Sequence, residues 1–182
     1  MNLPLPKLKA ILLYFCEHTD PQFLGKVKLM KLLYYLDFLH VKRFGVPITY
    51  DRYVNLEHGP IPSIIKNIVD ELSCDPDKSR VSDILSMSKI DISNGTMHKI
   101  EARRKLNQKE LDYLSDDELG TLKEVCTRFG AMNTGQIEDA SHKEAPWKET
   151  LYLDDIPYSL AGKDSDSKFS SKEIEELLSV MV

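Results

Sequence analysis

The side chains best suited to acid–base or nucleophilic chemistry are widely scattered along this sequence. The five histidines and three cysteines are His18, His40, His58, His98, His142, Cys16, Cys74 and Cys126. No two cysteines have the CxxC spacing that predicts a zinc site or a redox centre. We therefore expect reduced thiols, no metal and no disulfide framework.

Motifs that cradle phosphates or activate a nucleophile are also missing. The eight glycines never follow the GxGxxG or GxxxxGK[ST] spacing, and the sequence contains neither a GxSxG elbow nor an HExxH helix. Catalytic residues can assemble from distant positions, so a hydrolase that pairs Cys16 or Cys126 with His142 is kept as an alternative. The favoured prediction is a protein with no catalytic residues and no cofactor.

One helical segment, from about 26 to 44, contains most of the remaining candidates. At about 100° per residue it places Lys28, Lys31, Tyr35 and Lys42 on one strip of an otherwise apolar helix. The strip predicts either a solvated face or a surface for an acidic partner. In the second case, charge reversal at the first two lysines weakens binding without unfolding the chain. Asp37, on the opposite side, needs a buried partner or shapes a binding groove.

Two short segments contain the other candidates. Glu57-His58-Gly59-Pro60 predicts a rigid turn into the next helix, with His58 as an alternative rim residue of a binding site. His142 stands near a predicted helix end, where an imidazole suits the negative end of the helix dipole. Trp147 is expected in the core or a seam, with its N–H hydrogen-bonded.

The elements that must position these residues are mainly helical. Apolar spacing predicts a first helix ending near His18 and a further helix after Gly59-Pro60. Capping signals at Ser115 and Asn133 predict two later helices. Together with the helix at 26–44, they predict a mainly α fold, a compact helical bundle around that central buried helix.

A β-hairpin and a tail complete the predicted organisation. The stretch near 88–101 predicts a small, exposed hairpin that turns at Asn94-Gly95. We expect one domain over residues 1–162, followed at 163–182 by a flexible polar linker and a short amphipathic helix. The apolar stripe of that helix, which either docks on the body or binds a partner, is Ile174, Leu177, Leu178 and Met181.

Composition limits the classes of partner. The net charge is -5, whereas domains that bind a nucleic-acid duplex usually carry a basic excess, so we expect no direct nucleic-acid binding. No stretch approaches the roughly 20 apolar residues that span a membrane, and the N-terminus lacks a signal-peptide pattern. These features predict a cytoplasmic protein.

Several blocks resemble the Panacea domain, the SocA-like antitoxin domain, over about residues 5 to 160. The residues that carry the resemblance are Lys28 to Asp37, Phe44-Gly45, Tyr53 to Pro62, Leu114-Ser115, Glu118-Leu119, Ser141 to Glu144 and Trp147. The resemblance implies a mainly α fold and an antitoxin that neutralises a cognate toxin, encoded by the adjacent gene, by direct protein binding. It also implies an association with phage-derived genes.

We expect partner-binding roles for the strip and for five further positions. Those positions are Asp37, Tyr53, His58, His142 and Trp147. Some relatives carry an additional helix-turn-helix module, for which this chain has no room before its first helix, so operator binding by this chain alone is not expected. The alternatives are a proteolytic adaptor and a phage-associated regulatory interaction protein, and self-association is left open.

Overall fold

The computed structural model describes residues 3–92 and 95–180, about half of which are helical. The elements are α1 (Leu5–His18), α2 (Lys26–Phe44), β1 (Tyr53–Leu56), β2 (Gly59–Pro62), α3 (Ser63–Cys74), β3 (Leu85–Ile92), β4 (Gly95–Ala102), a first 3₁₀ helix (Gln108–Tyr113), α4 (Asp116–Phe129), α5 (Thr134–Ser141), α6 (Ala145–Lys148), a second 3₁₀ helix (Tyr158–Lys163) and α7 (Ser171–Val180). The predicted mainly helical class is confirmed.

Helix α2 has the predicted bounds and is buried along most of its length. It begins after Gly25 and ends at Gly45, whose φ of 79° is left-handed and whose N–H donates to the Val41 carbonyl at 2.9 Å. Every side chain from Lys28 to Lys42 is buried, because α4, α5, β2 and the second 3₁₀ helix pack around the helix. The arrangement of these elements as one bundle stays a prediction.

The later helices begin where the capping signals place them. Ser115 accepts the N–H of Glu118, whose side chain accepts the N–H of Ser115 in return. Asn133 and Gln136 form the same reciprocal pair at the start of α5. Each pair satisfies backbone donors that the first turn of a helix leaves open.

Two antiparallel hairpins accompany the helices. Strands β1 and β2 pair from Tyr53 opposite Pro62 to Leu56 opposite Gly59. Strands β3 and β4 confirm the predicted hairpin, which is buried at its base and mostly exposed towards its tip. The predicted turn residue Asn94 lies outside the described residues.

The C-terminal segment is attached to the body. The Asp164 carboxylate accepts the Ala145 N–H at 2.8 Å, and the Lys168 N–H donates to the Lys42 carbonyl at 2.8 Å. Ile174 of α7 is fully buried. The predicted flexible linker therefore has fixed hydrogen bonds, while Met181 lies outside the described residues and the domain boundary at 162 stays a prediction.

Two glycine substitutions test this arrangement. Gly45→Ala should lower the free energy of unfolding by about 1–2 kcal/mol, because φ is left-handed there and the new Cβ would overlap Leu177 of α7. The matched control Gly120→Ala, in the open interior of α4, should raise it by up to about 1 kcal/mol. Urea unfolding measures both, and equal effects would contradict the packing of α7 at Gly45.

Candidate functional site

The lysine strip lies inside the protein, which corrects its predicted solvent exposure. Lys28 and Lys31 are fully buried, and Lys42 and Tyr35 nearly so. Periodicity showed a polar strip but could not show that later parts of the chain cover it. Contact between the strip and a partner stays a prediction, and it would require the strip to be uncovered.

Each buried lysine ties α2 to a different later segment. Lys28 Nζ donates to the Gly130 carbonyl at 2.6 Å, at the end of α4. Lys31 Nζ donates to the Pro60 carbonyl of β2 at 2.9 Å. Burial lowers the pKa of Lys31 to about 7, although the nearby Glu138 carboxylate opposes the shift.

Lys42 is the centre of a cluster of three carboxylates. Its ammonium lies 2.9 Å from Glu144, 2.9 Å from Asp164 and 3.0 Å from Asp166. Burial lowers the pKa of Lys42, but the carboxylates outweigh this effect and the pKa is raised overall. Tyr34 also donates to Glu144, at 2.7 Å. One buried cation therefore fixes α2 to the segment before α6 and to the segment after the second 3₁₀ helix.

Asp37 is a buried carboxylate satisfied by backbone and hydroxyl donors. Oδ1 accepts the N–H groups of Ile48 and Thr49 at 2.8 and 2.7 Å. Oδ2 accepts the hydroxyls of Thr49, Tyr53 and Tyr158. Burial raises the pKa of Asp37 to about 6, and these hydrogen bonds oppose the rise. The expectation of a buried partner is confirmed, and Tyr53 is one of those partners.

His142 and Trp147 meet behind the β1–β2 turn. Their rings stack at 4.0 Å, and a Cβ on Gly59 would lie 3.2 Å from His142 Nε2 and 3.0 Å from Lys31 Nζ. The predicted hydrogen bond of the Trp147 N–H is not found among the described residues. His58 is exposed, with Nδ1 3.8 Å from Glu138 Oε2.

The described surface contains an apolar groove of about 520 Å³. It lies between the start of α2, the β1–β2 turn and the tip of the β3–β4 hairpin. Its apolar lining comprises Val27, Met30, Leu56, Ile61, Ile92, Met97 and Tyr152. Of the residues predicted from the sequence, His58 belongs to this groove.

An exposed apolar loop, Leu151–Leu153, adjoins the groove through Tyr152. The three side chains are 76%, 63% and 62% exposed. The loop is held in place because the Leu153 N–H donates to the Asn55 carbonyl at 2.8 Å and Asn55 Nδ2 donates to the Thr150 carbonyl at 2.7 Å. Leu153 has a φ of 73°, a conformation that costs a non-glycine residue on the order of 1–2 kcal/mol.

The sequence patterns did not indicate this loop. Its three apolar residues lie between polar ones, follow no helical spacing and fall in a short connection. Consecutive large apolar residues in a loop were the available signal, because exposed patches of this kind often mark interaction sites.

The hydrolase alternative requires a reactive thiol at Cys16 or Cys126. Burial raises the pKa of Cys16 and of Cys126 to about 12, so neither thiol is a thiolate at neutral pH. Among residues 3–92 and 95–180, no cluster of histidine, cysteine and acidic side chains could hold a metal ion. Over the same residues, no helix has the length and apolar character to cross a membrane.

Comparison with models of protein families shows which family this chain belongs to. The model of the antitoxin SocA-like Panacea domain matches residues 29–148, more than half of the chain. The chain belongs to the SocA-like antitoxin family. No curated protein and no solved structure gives a significant match. The Panacea match includes the buried charges Lys31, Asp37 and Lys42 of α2 and ends at Lys148, shortly before the Leu151–Leu153 loop.

Charge reversal at Lys31 should strongly destabilise this Panacea domain. Lys31→Glu places a carboxylate beside the Pro60 carbonyl in a buried site, and we expect a loss of about 3–5 kcal/mol in the free energy of unfolding. Lys31→Met, the matched control, loses only one hydrogen bond and should cost about 1 kcal/mol. Urea unfolding measures both variants. If the Lys31→Glu protein were as stable as the unmodified chain, Lys31 would have to be exposed to solvent and not buried.

Asp37 should give stability a defined pH dependence. The folded chain holds this proton up to about pH 6, whereas the ordinary pKa is 3.8. The stabilisation is therefore complete below about pH 4 and is lost as the pH rises to 6, by on the order of 3 kcal/mol. The difference in unfolding free energy between the unmodified chain and Asp37→Asn should follow this slope. A difference that is constant between pH 4 and 6 would exclude the raised pKa.

Proposed function

We propose that this chain is the antitoxin of a toxin–antitoxin pair and neutralises a toxin protein by direct binding. The family assignment supports a protein partner. The observation that carries the proposal is the exposed Leu151–Leu153 loop beside the apolar groove. We place the toxin gene next to the gene for this chain, and both proteins in the cytoplasm.

The groove and the loop have complementary roles in this proposal. The groove is concave and apolar, so it suits apolar side chains that project from the toxin. The loop projects outward and offers a tyrosine between two leucines, and tyrosine is enriched at binding hot spots. Because Tyr152 belongs to both surfaces, it is the residue on which we expect binding to depend most.

The loop is suited to binding because it is ordered before a partner arrives. Its backbone is hydrogen-bonded to β1 on both sides of Leu153, through Asn55 and through the Ile156 N–H, which donates to the Tyr53 carbonyl at 2.8 Å. Tyr53 is in turn fixed by Asp37. A surface that is already ordered loses less conformational entropy on binding. In this proposal Asp37 and Tyr53 act from inside the protein.

Co-expression tests the function directly. The product of the adjacent open reading frame should arrest growth when expressed alone, and co-expression of this chain should restore growth and yield a stable complex. A neighbour that is harmless alone, or that stays toxic beside this chain, would contradict the proposal. Restored growth with loss of the toxin protein would indicate a proteolytic adaptor instead.

Substitution of Tyr152 tests the surface. Tyr152→Ala should weaken binding of the toxin by about thirtyfold, because truncation of an aromatic hot spot costs about 2 kcal/mol or more. Tyr113→Ala is the matched control, since Tyr113 is 52% exposed and lies outside the groove. Calorimetric titration measures both affinities. Equal affinities would show that the toxin binds elsewhere.

A further inference from the structure

The register of the β3–β4 hairpin shows which backbone groups of β3 face away from β4. The Arg103 N–H donates to the Ile84 carbonyl at 2.8 Å at the base of the hairpin, and facing pairs alternate from there along an antiparallel ladder. The N–H and C=O groups of Met87, Lys89 and Asp91 therefore point outward. None of them has a hydrogen bond to any other described residue.

This outer edge of β3 is open over the half that leads to the hairpin tip. At the base, the edge is occupied, because the Leu85 N–H donates to Val81 and its carbonyl accepts from Arg103 Nε. Helix α3 approaches near Met87, where Ser73 Oγ lies 3.8 Å from its sulfur. Beyond that point Lys89 and Asp91 are exposed. An open strand edge pairs readily with another strand.

Two charged side chains on this edge indicate which strand would pair with it. Lys89 and Asp91 lie on the same face of β3, and neither forms an ion pair with any residue in the described ranges. A strand that presents an acid and a base at the complementary positions would satisfy both. The same strand of a second copy, running antiparallel, has this pattern.

We propose that β3 pairs with β3 of a second copy of this chain, with Ile90 on the two-fold axis. In that register Lys89 lies opposite Asp91 of the second copy, and Asp91 lies opposite its Lys89. The outward N–H and C=O groups of these residues then form the ladder between the copies. The two hairpins become one four-stranded antiparallel sheet.

The charges select this register over its neighbours. A shift of the axis to Lys89 places two lysines opposite each other, and a shift to Asp91 places two aspartates together. Like charges on directly opposed residues destabilise a strand pair, whereas opposite charges stabilise it. On the other face of the sheet, Ile90 meets Ile90 of the second copy. The contact is smaller than a standard interface, so we expect a dissociation constant on the order of 100 µM.

A charge-exchange series followed by sedimentation equilibrium tests the dimer. The unmodified chain should be monomeric at low micromolar concentration and dimeric near 1 mM. Asp91→Lys and Lys89→Asp, each alone, should raise the dissociation constant at least tenfold, because opposed residues then carry like charges. The double variant Lys89→Asp/Asp91→Lys restores opposite charges and should dimerise within about threefold of the unmodified chain.

Mixing the two single variants provides an internal control, because their opposed residues carry opposite charges and the heterodimer should form. These substitutions fall on exposed side chains, and thermal melts check that each variant folds. A chain that stays monomeric at 1 mM would overturn the proposal. So would a dimer whose dissociation constant is unchanged by the single variants, since it would use another surface.

Discussion

The fold depends on the pairing of charged side chains that α2 carries into the interior. An unpaired buried charge is strongly destabilising, so each must find a partner as the chain folds around it. Lys28 finds the end of α4, Lys31 finds β2, and Lys42 finds the acidic residues at 144, 164 and 166. These partners come from distant parts of the chain, so the charges specify where the later segments lie against α2.

Helix positions followed from local signals in the sequence. The bounds of α2, the starts of α4 and α5, and the β3–β4 hairpin all depend on apolar spacing, capping residues and turn residues that lie close together in the chain. The burial of the lysine strip depends instead on segments 29 to 124 residues away, such as Pro60 and Asp166. A polar strip on an apolar helix looks the same whether water or a carboxylate covers it.

Local sequence patterns also explain why only part of the candidate site could be predicted. His58 could be named as a rim residue because the turn around it has a sequence signature. The groove could not be predicted from the sequence, because it lies between α2, the β1–β2 turn and the hairpin tip. Only tertiary packing brings these elements together. The Leu151–Leu153 loop has no periodic pattern, and its importance became visible only from its exposure and its hydrogen bonds to β1.

The buried residues and the exposed surfaces of the protein thus have separate roles. The charged residues of α2 stabilise the body, and Asp37 with Tyr53 holds β1, to which the exposed loop is bonded. We propose that partner contact falls to the apolar groove and the Leu151–Leu153 loop. The residues that carry the family resemblance on α2 therefore maintain the scaffold that displays these surfaces.

Chemical labelling of lysine amines in the native protein, read out by peptide mass spectrometry, tests this account most directly. Lys78 and Lys172, whose side chains are 85% and 86% exposed, should be modified rapidly. Lys28, Lys31 and Lys42 should stay unmodified until denaturant unfolds the chain. Labelling of Lys31 in the folded protein at the rate of Lys78 would contradict the buried strip.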